Sequence, residues 1–170
     1  LSFVGTVAWA IPITILSYKY DIKISAMALA VSVVISSLVT DPLPSISIGV
    51  TFGITSIVLG YCLRKKYSPF VTIIAMAVAT FLGYVADIEL TKLFTGVDPI
   101  KDFFTMLNES IKESLSLMKK MGVSEEQLKQ SPITGLNEES IRPVLPGLFA
   151  LSSVLMSYLS YYLVSLIFRK

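Results

Sequence analysis

Hydroxyl groups are the chemistry this sequence offers most freely; imidazoles and thiols are what it withholds. There is no histidine and a single cysteine, Cys62. His-dependent acid–base catalysis, His-ligated metals and an intrachain disulfide are therefore excluded. Ser25, Ser32, Ser36 and Thr40 share one face of a helix, and Ser153, Ser157 and Ser160 share one face of another. Such stripes have two readings. Each hydroxyl donates to the carbonyl one turn back in its own helix, or the two stripes line a polar cavity between helices. On the second reading Ser32, Ser36, Thr40, Ser153 and Ser157 contact a small-molecule substrate.

Carboxylates are the other candidates. Asp87, Glu89 and Lys92 close one apolar run. Glu89 and Lys92 are three residues apart and pair on a helix surface, which reads as an interfacial charge cluster. Asp87 has no partner three or four residues away, and a charge in a membrane segment is a functional candidate because burying it is costly. Asp87 therefore joins the substrate-binding set. A Gly-rich phosphate loop, a Ser/His pairing and a deep carboxylate pair are all lacking, so no catalytic residue, metal or cofactor is expected and an enzyme is disfavoured.

The elements that must position these groups are membrane helices. The chain is 54% hydrophobic and 15% charged, against roughly 25% charged residues in a soluble domain. Eight of its 12 acidic residues fall between Asp98 and Glu139, leaving long apolar runs elsewhere. Each run is about 17 to 22 residues, enough at ~1.5 Å per residue to cross roughly 30 Å of hydrocarbon. The expected fold is all-α: a single transmembrane domain over 1–170 with about five spans, near 1–17, 24–40, 46–63, 69–86 and 144–168. Trp9 reads as a packing residue within the first. The chain opens at Leu1 inside an apolar run, which reads as a fragment or processed product. It is not a signal peptide, because no basic segment precedes the run and Tyr18-Lys19-Tyr20 follows it.

Basic residues in short loops set orientation. Lys19 and Lys23 follow the first span, Arg64, Lys65 and Lys66 the third, and Arg169 and Lys170 the last, while the loop at 41–45 has none. All seven fall on the cytoplasmic side if the first span starts outside and the C-terminus is cytoplasmic, in a multi-pass cell-membrane protein. Tyr18, Tyr20, Tyr61 and Tyr67 then form an aromatic belt at that interface, and Cys62 is expected to react with impermeant reagents only from the cytoplasm. The net charge of +2, without a basic run, argues against nucleic acid.

The connection at 97–141 then forms an outer helical insertion. Asp98-Pro99 reads as an N-cap with proline at the first helical position, and Ile100, Phe103, Phe104, Leu107, Ile111, Leu115 and Met118 mark an amphipathic helix ended by Gly122. Ser124 to Gln127 opens a short second helix that Pro132 terminates. The segment either rests on the protein or the lipid headgroups, or covers an outward-facing cavity. Small-residue faces recur as well: Gly49, Gly53, Ser56 and Gly60 on the third span, Ala75, Ala79 and Gly83 on the fourth, Ala26 and Ala30 on the second. They permit close helix packing or dock another membrane subunit, with Gly49, Gly53, Ala75 and Ala79 as the partner-binding candidates.

Four stretches carry a family resemblance: Ile11-Pro12-Ile13 with Leu16 to Lys23, Leu59 to Lys66, Gly96-Val97-Asp98-Pro99-Ile100, and Met121 to Leu128. Together they resemble the YybS-like uncharacterised membrane proteins of bacteria, whose members are longer at both ends. The helices are distantly similar to the substrate-binding subunits of energy-coupling-factor vitamin importers. These have six helices with both ends cytoplasmic, a count reached here by adding one helix before Leu1. The resemblance implies a small-molecule ligand under outer loops, with a coupling subunit and an ATPase as partners besides the lipid bilayer. In that family an Ala-xxx-Ala face on the first helix docks the coupling subunit; here Ala26 and Ala30 stand on a different helix. Non-catalytic scaffolds of cell-wall elongation use the same architecture, so a scaffold recruiting envelope or signalling proteins is the alternative.

Overall fold

Apolar runs of this length fold as helices because, in hydrocarbon, each backbone N–H and C=O must be satisfied within its own segment. A computed structural model describes residues 3–123 and 138–168, and every regular element among them is helical. These are α1 (Phe3–Lys19), α2 (Ile22–Val39), α3 (Pro42–Arg64), α4 (Pro69–Thr95), α5 (Pro99–Lys120), α6 (Glu138–Ile141) and α7 (Leu145–Phe168). The side chain of Trp9, the second short helix expected near 124–132, and Arg169 with Lys170 lie outside the described residues.

Four described helices are long and apolar enough to cross a membrane: α2, α3, α4 and Leu145–Ile167 of α7. Helix α1, 17 residues long, sits at the short end of the spanning range of roughly 17–25 and packs in the same bundle, mainly against the second half of α3. The molecule is an all-α membrane bundle.

Two helix boundaries differ from hydropathy. Helix α3 starts at Pro42, ahead of the apolar run, because Pro42 and Pro44 occupy the first turn, where a missing N–H breaks no bond. Helix α4 continues to Thr95, past the apolar limit near Ala86: charge ends the hydrocarbon-compatible stretch without ending the helix. Gly96 ends it, with φ +70 and its N–H bonded to the Lys92 carbonyl at 2.9 Å. At α5 the Asp98 carboxylate accepts from the N–H groups of Ile100 (3.1 Å) and Lys101 (3.4 Å), and Gly122, with φ +87, follows its last turn.

Chain direction alternates through α1, α2, α3, α4 and α7. Val33 and Leu29 of α2 meet Gly49 and Gly53 of α3, Thr55 of α3 meets Thr80 of α4, and Tyr84 of α4 meets Phe149 of α7 with ring centroids 6.0 Å apart. The C-terminal ends of α1 and α3 thus lie together, bringing Lys19, Lys23 and the Arg64–Lys66 turn to one end of the bundle. Helix α2 is peripheral, with Ser25 its one buried residue. Helix α5 leans on the end of α4, burying Phe104 and leaving Phe103 and Met106 exposed.

Candidate functional site

The bundle is polar within and apolar without. Thr14, Ser17, Thr55, Thr72, Thr80 and Ser157 are buried, whereas Met27, Leu38, Phe70, Leu82, Leu151 and Leu155 are exposed. In lipid the exposed side chains are solvated, and association rests on close packing and interhelical hydrogen bonds. The Ser17 hydroxyl donates to the Ile57 carbonyl at 2.8 Å, tying α1 to α3. The Thr55 and Thr80 hydroxyls lie 3.0 Å apart, and one donates to the other, tying α3 to α4, while the acceptor of that bond donates to its own helix, Thr55 to the Thr51 carbonyl (2.8 Å) or Thr80 to the Met76 carbonyl (2.9 Å). Because these back-bonds survive loss of the partner, a double-mutant cycle with Thr55→Val and Thr80→Val, read by thermal or denaturant unfolding, is expected to give a coupling near ~0.6 kcal/mol, and below ~1.7 kcal/mol.

Where α1, α3, α4 and α7 meet, a small cavity of about 20 Å³ is lined by Thr14, Phe52, Thr55, Leu59, Met76 and Val164, mostly through their apolar atoms. Two further polar atoms lie on the α4–α7 seam. The Asp87 Oδ1 and Ser157 Oγ atoms are buried without a hydrogen-bond partner. The Tyr84–Phe149 contact sets Asp87, one turn beyond Tyr84, toward the start of α7, and Ser153 and Ser157 follow Phe149 at steps of four, on the same helix face. The seam therefore runs inward from the Asp87 Oδ1 atom past the buried Ser153 and Ser157.

The sequence profile of a family described as "Predicted membrane protein (DUF2232)" matches residues 1–170. The chain belongs to the DUF2232 family. Comparison with curated proteins and with solved structures gave no match.

In this DUF2232 bundle the two serine stripes do not converge. Helix α2 packs on α1 and α3 and makes no extensive contact with α4 or α7, so among the described residues the two stripes line no common cavity. Ser32 donates to the Ala28 carbonyl (2.8 Å), and Thr40 to the Ser36 carbonyl (2.9 Å), Thr40 lying 2.9 Å from Ser45 as well; Ser36 is half-buried on the same helix. Asp87, Ser153 and Ser157 do share one seam, with Ser153 donating back to the Ala150 carbonyl at 2.8 Å. The partner-binding candidates also divide. Gly49 and Gly53 are buried beneath Val33 and Leu29 of α2, so this chain itself occupies that face. Ala75 and Ala79 are half-buried on α4.

The interior also holds threonines outside the two serine stripes. Thr51 and Thr55 are one turn apart on α3, and Thr72 and Thr80 two turns apart on α4; that spacing was the available signal. Residues Gly49–Gly53 form a π turn, a widening frequent at functional sites. Gly83 packs on it, since a Cβ there would lie 3.0 Å from Thr51 Cα. Cys62 is 3% exposed, a thiol covered by packing and so unsuited to reporting topology.

Proposed function

We propose that this DUF2232 protein is the membrane-embedded, non-enzymatic substrate-binding subunit of a small-molecule importer, with its ligand held along the α4–α7 seam. The observation that carries the reading is the unpartnered Asp87 Oδ1 and Ser157 Oγ. A buried polar atom left unpaired costs ~1–3 kcal/mol, and more when charged, so a protein gains from holding such atoms only if something else completes them. Asp87 and Ser157 would bind the ligand's polar groups, with Ser153 between them. Ser32 and Thr40 are left out because their hydroxyls bond their own helix or its neighbour, and Ser36 because it stands on the same peripheral helix. The distant likeness to energy-coupling-factor subunits supports a coupling subunit and an ATPase as partners. The scaffold alternative would draw on Ala75 and Ala79, since α2 covers Gly49 and Gly53.

The test is thermal unfolding of the purified full-length protein against a panel of vitamins, metal ions and nucleobases. A ligand at 100 times its Kd stabilises by about 2.7 kcal/mol, and the shift is expected to vanish in Asp87→Asn. The reading fails if no panel member shifts the transition and no ATPase co-purifies.

The clustering of Lys19, Lys23, Arg64, Lys65 and Lys66 at one bundle end supports a cytoplasmic location for that end. In a Cys62→Ser background, Lys66→Cys is expected to label with an impermeant maleimide only from the cytoplasmic side, and Glu113→Cys only from outside. The reverse pattern would invert the orientation.

A further inference from the structure

We infer that the seam between α2 and α3 binds a membrane phospholipid with an acidic headgroup, one acyl chain lying between the helices and the phosphate at their basic end. This site is separate from the α4–α7 seam and does not depend on the proposed function.

The seam carries two adjoining hollows of opposite character. The first, about 480 Å³, is lined by apolar side chains, among them Ala26, Ala30 and Val34 of α2 and Val50, Ile54 and Ile57 of α3. The second, about 390 Å³, is lined by Asp21, Ile22, Lys23, Tyr61, Arg64 and Lys65. They belong to one track. On α3, Val50, Ile54, Ile57, Tyr61 and Arg64 recur at steps of three and four; on α2, Ile22, Ala26 and Ala30 recur at steps of four. Residues so spaced lie on one helix face, so the apolar trough opens directly onto the basic hollow.

Packing explains why a trough exists. Gly49 and Gly53 admit Val33 and Leu29 of α2, drawing the two helices together at its floor. The short side chains of Ala26 and Ala30 leave its rim open and exposed. A trough with an apolar lining on the membrane-facing side of a bundle is filled by hydrocarbon, and the supply of hydrocarbon there is acyl chain.

Charge selects the headgroup. Three cations, Lys23, Arg64 and Lys65, face one carboxylate, Asp21, whose Oδ1 is already bonded by Arg64 at 3.1 Å. Lys23 has no ion pair among the described residues, and the Lys65 ammonium lies over the Tyr61 ring, 6.0 Å from its centre, an exposed and therefore weak contact that a phosphate oxygen can replace. The start of α2 adds to this, because Asp21 makes no side-chain cap bond and the first-turn N–H groups favour an anion. A zwitterionic headgroup would bring its own cation into this excess of positive charge, and an acidic one would not. Basic pockets between membrane helices at a bundle end bind acidic lipid headgroups in this way.

The experiment measures lipid retention by the full-length protein, using native mass spectrometry after delipidation and reloading with phosphatidylglycerol or phosphatidylcholine. Phosphatidylglycerol is expected to stay bound and phosphatidylcholine to be lost. Lys23→Gln with Lys65→Gln leaves the Arg64–Asp21 contact intact and is expected to weaken phosphatidylglycerol retention by roughly thirtyfold, from the combined attraction of two basic residues. Ala26→Leu with Ala30→Leu fills the trough from exposed positions and is expected to abolish retention while the protein still unfolds cooperatively. Equal retention of both lipids, or unchanged retention in either double variant, overturns the inference. So does stabilisation by inorganic phosphate that persists in the Ala26→Leu, Ala30→Leu protein with no lipid retained, since that outcome marks a free-phosphate site.

Discussion

Gly60→Ala is expected to destabilise the bundle by about 1–3 kcal/mol, although alanine is the better helix former by ~1 kcal/mol. A Cβ at position 60 would lie 2.5 Å from the Thr14 carbonyl oxygen and 2.5 Å from the Ser17 Cβ. The first of these is backbone and moves only if α1 moves. Overpacking of this kind costs roughly 1–3 kcal/mol, and displacing α1 also pulls the Ser17 hydroxyl from the Ile57 carbonyl, a loss of about 1 kcal/mol. The propensity gain offsets part of the sum. The expected drop in Tm is about 2–4 °C for each kcal/mol in a chain of this size, measured by thermal unfolding in detergent. Gly147 is the control: a Cβ there meets nothing within 4 Å, so Gly147→Ala should be neutral or stabilising. If the two variants melt alike, Gly60 does not set the approach of α1 to α3.

That contact illustrates which features were readable from sequence. The spans follow from apolar length, and the start of α5 follows from Asp98 and Pro99, because hydropathy and caps are local properties. Which helices touch is not local. Short loops keep α2 beside α1 and α3, but the parallel pairing of α1 with α3 depends on Gly60 accepting the Thr14–Ser17 turn, and glycines on other faces look the same in sequence. The hydroxyls pose a related difficulty. A membrane helix is apolar on all sides, so periodicity does not mark its inner face, and serine satisfies itself by back-bonding wherever it points. The stripes on α2 and α7 therefore looked equivalent, yet α2 is peripheral and α7 contributes Ser153 and Ser157 to the interior. Asp87 stood out because its charge had no local partner, and that property survives in three dimensions: its Oδ1 finds none there either.

For that reason Asp87→Asn is expected to raise stability while removing any ligand response. A buried carboxylate oxygen without a donor carries a desolvation penalty that nothing in the described structure offsets. Asparagine keeps the shape and removes the charge, so unfolding should shift upward, by less than a full burial penalty because Asp87 is only half-buried and the amide stays polar. Ser157→Ala, which deletes a second unpartnered buried atom, should likewise be neutral or stabilising. A residue with a structural role behaves the opposite way, since its replacement lowers stability. Gain of stability with loss of function marks a site whose polar groups are kept unpaired for a ligand. Thermal unfolding of wild type, Asp87→Asn and Ser157→Ala, each with and without a stabilising ligand from the panel, separates the cases. A lower transition for Asp87→Asn in the absence of ligand would assign Asp87 to the fold instead of the site. An undiminished ligand shift in that variant would move the binding site away from the Asp87 end of the α4–α7 seam.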